Sequence, residues 1–176
     1  MEGEDKARIR KECIKILRAV GCKKAVVMHC MVVAELALEL AINHNRTEGS
    51  NRVDEELVFR GALLHDLGRA RTNTVSHGFI GGEMARGLGL PENVVGIIQR
   101  HVGAGITAAE AKTLGLPAMD FIPETMEEKI VADADNLIDG VRRRSIEEAI
   151  ADLKVKLGAT HPSLNRMRAL HAEVMR

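Results

Sequence analysis

Residues 25–42 read AVVMHCMVVAELALELAI, a near-continuous apolar stretch long enough to cross a bilayer as a helix. His29, Glu35 and Glu39 interrupt it, and ionisable side chains are costly in lipid. The stretch therefore reads as a buried core helix, and no membrane partner is expected. A helix apolar on nearly all sides needs other helices or sheets packed round it. Composition favours helices. Aromatics make up 2% of the chain, Trp and Tyr are absent, and Ala, Leu, Met, Glu, Lys and Arg are plentiful. The expected fold is an all-α helical bundle.

Gly, Pro and capping residues divide the chain into helices. A first helix is predicted over about 4–20, stopped by Gly21, and the core helix over about 23–45. The polar stretch NHNRTEGSN (43–51) reads as a loop. Asp54 reads as an N-cap for a helix running to about Gly68, and residues 69–75 as a polar connection. Ser76 is placed as the cap of a helix over 77–88 ending at Gly89. Pro91 and Glu92 open another, to about Val102. Thr107–Glu110, Thr125–Glu128 and Ser145–Glu148 each spell a capping box. These boxes predict a short helix after Thr107, a helix from Thr125 to about Gly140, and a helix ending near Gly158. A loop fills 116–123, and a last helix follows Pro162.

The 176 residues suit one domain, 1–176, with a functional core over about 20–140 and C-terminal helices over about 141–176. Basic and acidic residues number 25 each, so nothing marks a nucleic-acid partner. Cys13, Cys22 and Cys30 are odd in number and form no CxxC pair, as expected of reduced thiols in a cytoplasmic protein. The charged opening MEGEDKARIRK has no apolar signal-peptide core.

Chemistry points to the histidines. His65-Asp66 follows the apolar run GALL near a helix end. One such dipeptide is a weak signal, because chance supplies roughly 0.3 of them in a chain of this composition. Buried Asp is rare unless paired or metal-bound, however. His29 lies among Val26, Val27, Val33 and Leu36. His77 lines up with Ile80, Gly81 and Met84, and His101 with Val94 and Ile98, so both face inward. Each buried imidazole needs a polar partner, and a shared metal would serve all of them. Imidazole and carboxylate together suit Zn, Mn, Fe, Co or Ni. VADADNLID (131–139) offers a further carboxylate. Asp135 falls on the side of Val131 and Ile138, Asp133 on the opposite flank, and periodicity does not choose between them. His44, His161 and His171 stand in polar context and read as surface residues.

The order His29, LLHDLGR (63–69), SHGFIGGEMARGLGL (76–90) with QRH (99–101), then VADADNL (131–137) resembles the HD-domain superfamily of metal-dependent phosphohydrolases, in its small stand-alone form. The resemblance spans most of the chain. It implies an all-α fold and a divalent metal held by His29, His65, Asp66 and one Asp of the VADAD segment. Ala134-Asp135-Asn136-Leu137 fits the family's last-ligand context, which selects Asp135. His77 and His101 fall where two-metal branches carry extra ligands, implying one or two ions bridged by Asp66. Arg69 stands where the family often has a phosphate-holding base. Arg142-Arg143-Arg144 reads mainly as a solvated run, and the Thr72-Asn73-Thr74 loop could border the site.

The implied activity is hydrolysis of a phosphate ester of a small molecule, in the first instance a nucleotide, by a metal-activated water. Asp66 would orient the water, His77 or His101 would protonate the leaving oxygen if not a ligand, and Asp133 or Asp139 would orient a ligand histidine. Two other classes use the same residues: a di-iron oxygenase on this fold, and a non-catalytic nucleotide-binding module with a structural metal.

Overall fold

The computed structural model describes residues 3–47 and 52–176. Nine α-helices occur among the described residues: α1 (Gly3–Ala19), α2 (Lys24–Thr47), α3 (Glu55–Leu64), α4 (His77–Gly87), α5 (Glu92–Arg100), α6 (Ala108–Thr113), α7 (Met126–Asn136), α8 (Ile146–Leu157) and α9 (Pro162–Val174). The all-α expectation holds, apart from a two-residue antiparallel hairpin, β1 (Ile138–Asp139) with β2 (Arg142–Arg143).

The apolar stretch is the middle of the bundle. α2 packs along α3 and α7, and Cys30, Val33, Ala34, Ala37 and Ala41 are fully buried. By length and composition α2 could cross a membrane, but half of its apolar window is buried inside the protein. α1 covers α3, and α4 lies against α5. α9 packs on α7 and α8. One hydrophobic core runs from Ile9 on α1 to Val174 on α9. A smaller cluster of Ile106, Ala111 and Phe121 sits beneath the α5–α6 connection.

Local capping works largely as the sequence reads. Asp54 accepts from the amides of Glu56 and Leu57, and full capping boxes form at Thr107–Glu110 and Ser145–Glu148. The other caps differ. Thr125 accepts from the Glu128 amide, but the Glu128 carboxylate turns to the Glu124 amide and to Arg100. Ser76 precedes α4 without a side-chain capping bond.

Four boundaries also differ. α2 continues through 43–47, because Asn45 is buried and brackets Val53, donating to its carbonyl and accepting from its amide. The rest of the expected loop, 48–51, lies outside the described residues. α3 stops at Leu64 instead of Gly68, and a 3-10 turn covers Leu67–Ala70. α5 ends at Arg100, two residues short of Val102. α7 stops at Asn136, whose side-chain amide donates to the Gly103 carbonyl. The chain then reverses through Gly140, at φ +60°.

Candidate metal centre

The early end of α3 builds the site. His65 occupies the position after Leu64, and Asp66 takes φ −92° and ψ 18°, in the sparsely populated bridge region. The following turn presses Gly68 against the start of α4. A Cβ at Gly68 would collide with the carbonyl oxygen of His77 and lie 2.7 Å from the Gly81 amide nitrogen. This backbone approach sets Asp66 beside His77, with Nε2 3.1 Å from Asp66 Oδ1.

Six side chains from five elements meet there. Asp66 lies in the middle. Its Oδ2 is 4.0 Å from His29 Nε2 and 3.8 Å from His65 Nε2. Its Oδ1 faces His77 and lies 3.7 Å from His101 Nε2. Asp135 Oδ1 closes the first half, 2.9 Å from His29 Nε2 and 3.4 Å from His65 Nε2. His77 and His101 form the second half, with their Nε2 atoms 3.0 Å apart. His65, Asp66, His77 and His101 are buried, whereas His29 and Asp135 are partly open to solvent.

Every imidazole is aimed by a backbone carbonyl. Nδ1–H donates from His29 to Gly140, from His65 to Ala62, from His77 to Thr74 and from His101 to Ile98, at 2.7–2.8 Å. Carbonyls only accept, so each neutral ring carries its proton on Nδ1 and presents the Nε2 lone pair to the centre. Ala62 and Ile98 lie among the last four residues of α3 and α5, whose carbonyls lack intrahelical partners. The helix ends thus orient their own histidines.

The electrostatics call for positive charge. Burial by itself would raise the Asp66 and Asp135 carboxyls, but His65 and its neighbouring imidazoles hold both far below the usual carboxylate range. Burial lowers His65, yet Cys30, Asp66 and Asp135 together drive it well above an ordinary imidazole. Burial wins at His101, which is pushed down. His65 Nε2 is buried without a hydrogen-bond partner among the described residues. The facing Nε2 lone pairs of His77 and His101 need a proton or a cation between them.

A divalent metal fits these donors. Two ligand atoms about 2.1 Å from one ion lie about 3.0 Å apart at a right angle and about 3.4 Å apart at a tetrahedral angle. The 2.9–3.4 Å separations at Asp135, and those of His77 Nε2 from Asp66 Oδ1 (3.1 Å) and from His101 Nε2 (3.0 Å), match that range, while Asp66 Oδ1 and His101 Nε2 stand wider apart at 3.7 Å. Three groups whose ligand atoms lie within 4.8 Å of one another occur among the described residues: His29–His65–Asp66, His65–His101–Asp135 and Asp66–His77–His101.

All six sequence candidates come together, as does Arg69. Its Nε donates to Asp66 Oδ1 at 3.0 Å and its Nη1 to the Asn73 carbonyl, with the side chain 30% exposed. The Thr72–Thr74 loop does border the centre, since Thr74 orients His77. Other expectations are corrected. Asp133 faces away and bonds His171 Nδ1 at 2.9 Å, so His171 is a partly buried partner on α9. Asp139 is exposed on β1. The orienting groups are carbonyls, not these two carboxylates. His161 caps α9, accepting from the Ser163 amide. Arg142, Arg143 and Arg144 engage Glu148, Glu39 and Asp152.

Comparison with known proteins places this geometry. The family model described as HD domain matches residues 26–138, the segment that carries all six residues. The chain belongs to the HD domain family. Among HD-domain relatives, an uncharacterised protein of Methanocaldococcus jannaschii is 48% identical, covering 87% of this chain and 89% of that protein. A tRNA (cytidine(56)-2'-O)-methyltransferase of Picrophilus torridus is 36% identical over 93% of this chain, which spans 45% of that protein. A ribonuclease Y of Acidothermus cellulolyticus is 31% identical over 68% of this chain, spanning 23% of its own length. The HD domain of the L. monocytogenes phosphodiesterase PgpH, also solved in complex with cyclic-di-AMP, has the same fold. In that complex the TM-score is 0.54 at 15% identity, covering 93% of this chain and 95% of that one.

Proposed function

We propose that this HD-domain protein is a metal-dependent phosphohydrolase that cleaves a phosphate ester of a small, nucleotide-class molecule. One observation carries the reading: four histidines, each fixed through Nδ1, turn their Nε2 atoms onto two carboxylates, and one of those nitrogens, His65 Nε2, is buried without a hydrogen bond. His29, His65, Asp66 and Asp135 would hold one divalent ion, and Asp66, His77 and His101 a second. Such ions lower the pKa of bound water toward neutrality and offset phosphoryl charge.

The chain's own residues divide the remaining work. Asp66 presents one oxygen to each half of the cluster, so it sets the spacing of the two halves. Arg69 fixes Asp66 through Nε and, being partly exposed, presents guanidinium N–H groups for a phosphoryl oxygen at the mouth. The openness at His29 and Asp135 gives substrate its approach, while the buried His65 and His101 exclude bulk water from the far side. Nucleotide chemistry is supported by the cyclic dinucleotide bound to the PgpH domain and by the RNA-directed names of two relatives.

The test is phosphate or nucleotide release from nucleoside monophosphates, cyclic dinucleotides and a short RNA. The protein would be loaded in turn with Mn, Co, Ni, Zn or Fe. Turnover of at least one class, abolished in Asp66→Ala, is expected. No turnover of any class under any metal would reject the reading.

A further inference from the structure

A cavity of about 560 Å³ lies between the α5–α6 connection, the end of α7, and helices α8 and α9. That volume is in the range of small-molecule sites. Its lining includes Val75, Val102 and Asn136, which stand one or two residues along the chain from His77, His101 and Asp135. Consecutive Cα atoms are 3.8 Å apart, so the cavity begins close to three of the six cluster residues.

The walls differ in kind from the cluster. Ile106, Leu114, Leu153 and Met167 make them aliphatic, and no Phe, Tyr or Trp lines them. Polar groups sit among these walls: Asp152, Lys156 and His161. His161 spends Nδ1 on the Ser163 amide, which leaves Nε2 for another partner. The lip is apolar and open: Val75 is 43%, Leu114 48% and Leu157 45% exposed. Large apolar side chains left in water beside a cavity mark a surface that a ligand covers. The aliphatic part of the walls suits a flat neutral heterocycle with donors and acceptors round its edge.

We propose that this cavity takes the nucleoside part of the substrate, held by aliphatic contact with Leu114, Leu153 and Met167, while the phosphate lies at the metal centre. The proposal rests on the phosphohydrolase reading for the phosphate and names the moiety that gives specificity. α8 and α9, which supply the outer wall, lie beyond residues 26–138 matched by the family model.

The test uses the full metal-free chain with carbon-13-labelled methionine methyls, the Met167 signal being identified by its loss in Met167→Leu. Adenosine, guanosine, cytidine and uridine are titrated separately, with ribose 5-phosphate as the base-free comparison. At least one nucleoside should move the Met167 methyl saturably, ribose 5-phosphate should not, and Leu114→Lys at the exposed lip should weaken the effect fivefold or more. The proposal is overturned if no nucleoside moves the signal, if ribose 5-phosphate moves it equally, or if Leu114→Lys leaves the affinity unchanged. A Met167 signal that shifts with protein concentration alone would mean a second copy covers the lip, which also overturns it. The nucleoside probes lack phosphate and the protein lacks metal. Loss of the hydrolase reading would therefore appear separately, as absent turnover of the base-free ester 4-nitrophenyl phosphate.

Discussion

Replacing Gly68 by alanine tests how the site is built. The added methyl meets the His77 carbonyl oxygen and the Gly81 amide nitrogen, both backbone atoms that no rotamer change can move aside. Relief requires the 3-10 turn to back away from α4 by about an ångström, and overpacking of this kind costs about 1–3 kcal/mol. For a chain of this size each kcal/mol lowers the melting temperature by about 2–4 °C, so a fall of roughly 2–12 °C is expected. The displacement opens the 3.1 Å contact between Asp66 and His77. Binding at the Asp66–His77–His101 half should therefore weaken more than at the half formed with Asp135. Calorimetric melting and elemental analysis on the same samples read both effects. Gly87→Ala, on the same α4, meets nothing within 4 Å and serves as the control. It should be neutral or stabilising by up to about 1 kcal/mol. A Gly68→Ala protein that melts within about 1 °C of the parent and keeps its full metal content would refute this account.

Further predictions concern other charged side chains. Burial raises the Asp133 carboxyl above its ordinary value despite the bond from His171, so the folded state binds that proton more tightly than the unfolded one. The contribution is full below the ordinary value near 4 and is lost as pH rises through the raised folded value. Asp133→Asn should therefore flatten the decline in stability above about pH 4, read by urea melts at stepped pH. An unchanged profile would remove Asp133 as its source. Asp66 and Asp135 act with opposite sign: their stability is present above about pH 4 and is lost as pH falls further. Arg69→Ala should reduce kcat/KM for phosphate esters by about 10- to 150-fold, the worth of one charged hydrogen bond of about 1.5–3 kcal/mol. A change under threefold would assign Arg69 to structure alone.

Much of this was legible because it is encoded locally. Asp54, Thr107 and Ser145 cap helices through neighbours two or three residues away, and sequence shows such neighbours directly. The inward faces of His77 and His101 follow from helical spacing alone. What remained hidden depends on contacts distant in sequence. GALLHDLGR stays helix-compatible to Gly68, and only the press of Gly68 on α4 explains the break at His65. Asp133 and Asp135 both lie on α7, and what separates them is a histidine far away: His29 on α2 for Asp135, and His171 on α9 for Asp133. One signal for His171 was available. It stands in register with Leu164, Met167 and Val174, the buried face of α9. The carbonyls that aim the ligands could not be read, because they become free acceptors only where helices end.

If Asp66 joins two halves of one metal centre, elemental analysis of the protein after reconstitution should find about two equivalents of Mn, Co, Ni, Zn or Fe per chain, with most of both lost in Asp66→Ala. No bound metal in the reconstituted parent, or an undiminished content in Asp66→Ala, would contradict that arrangement.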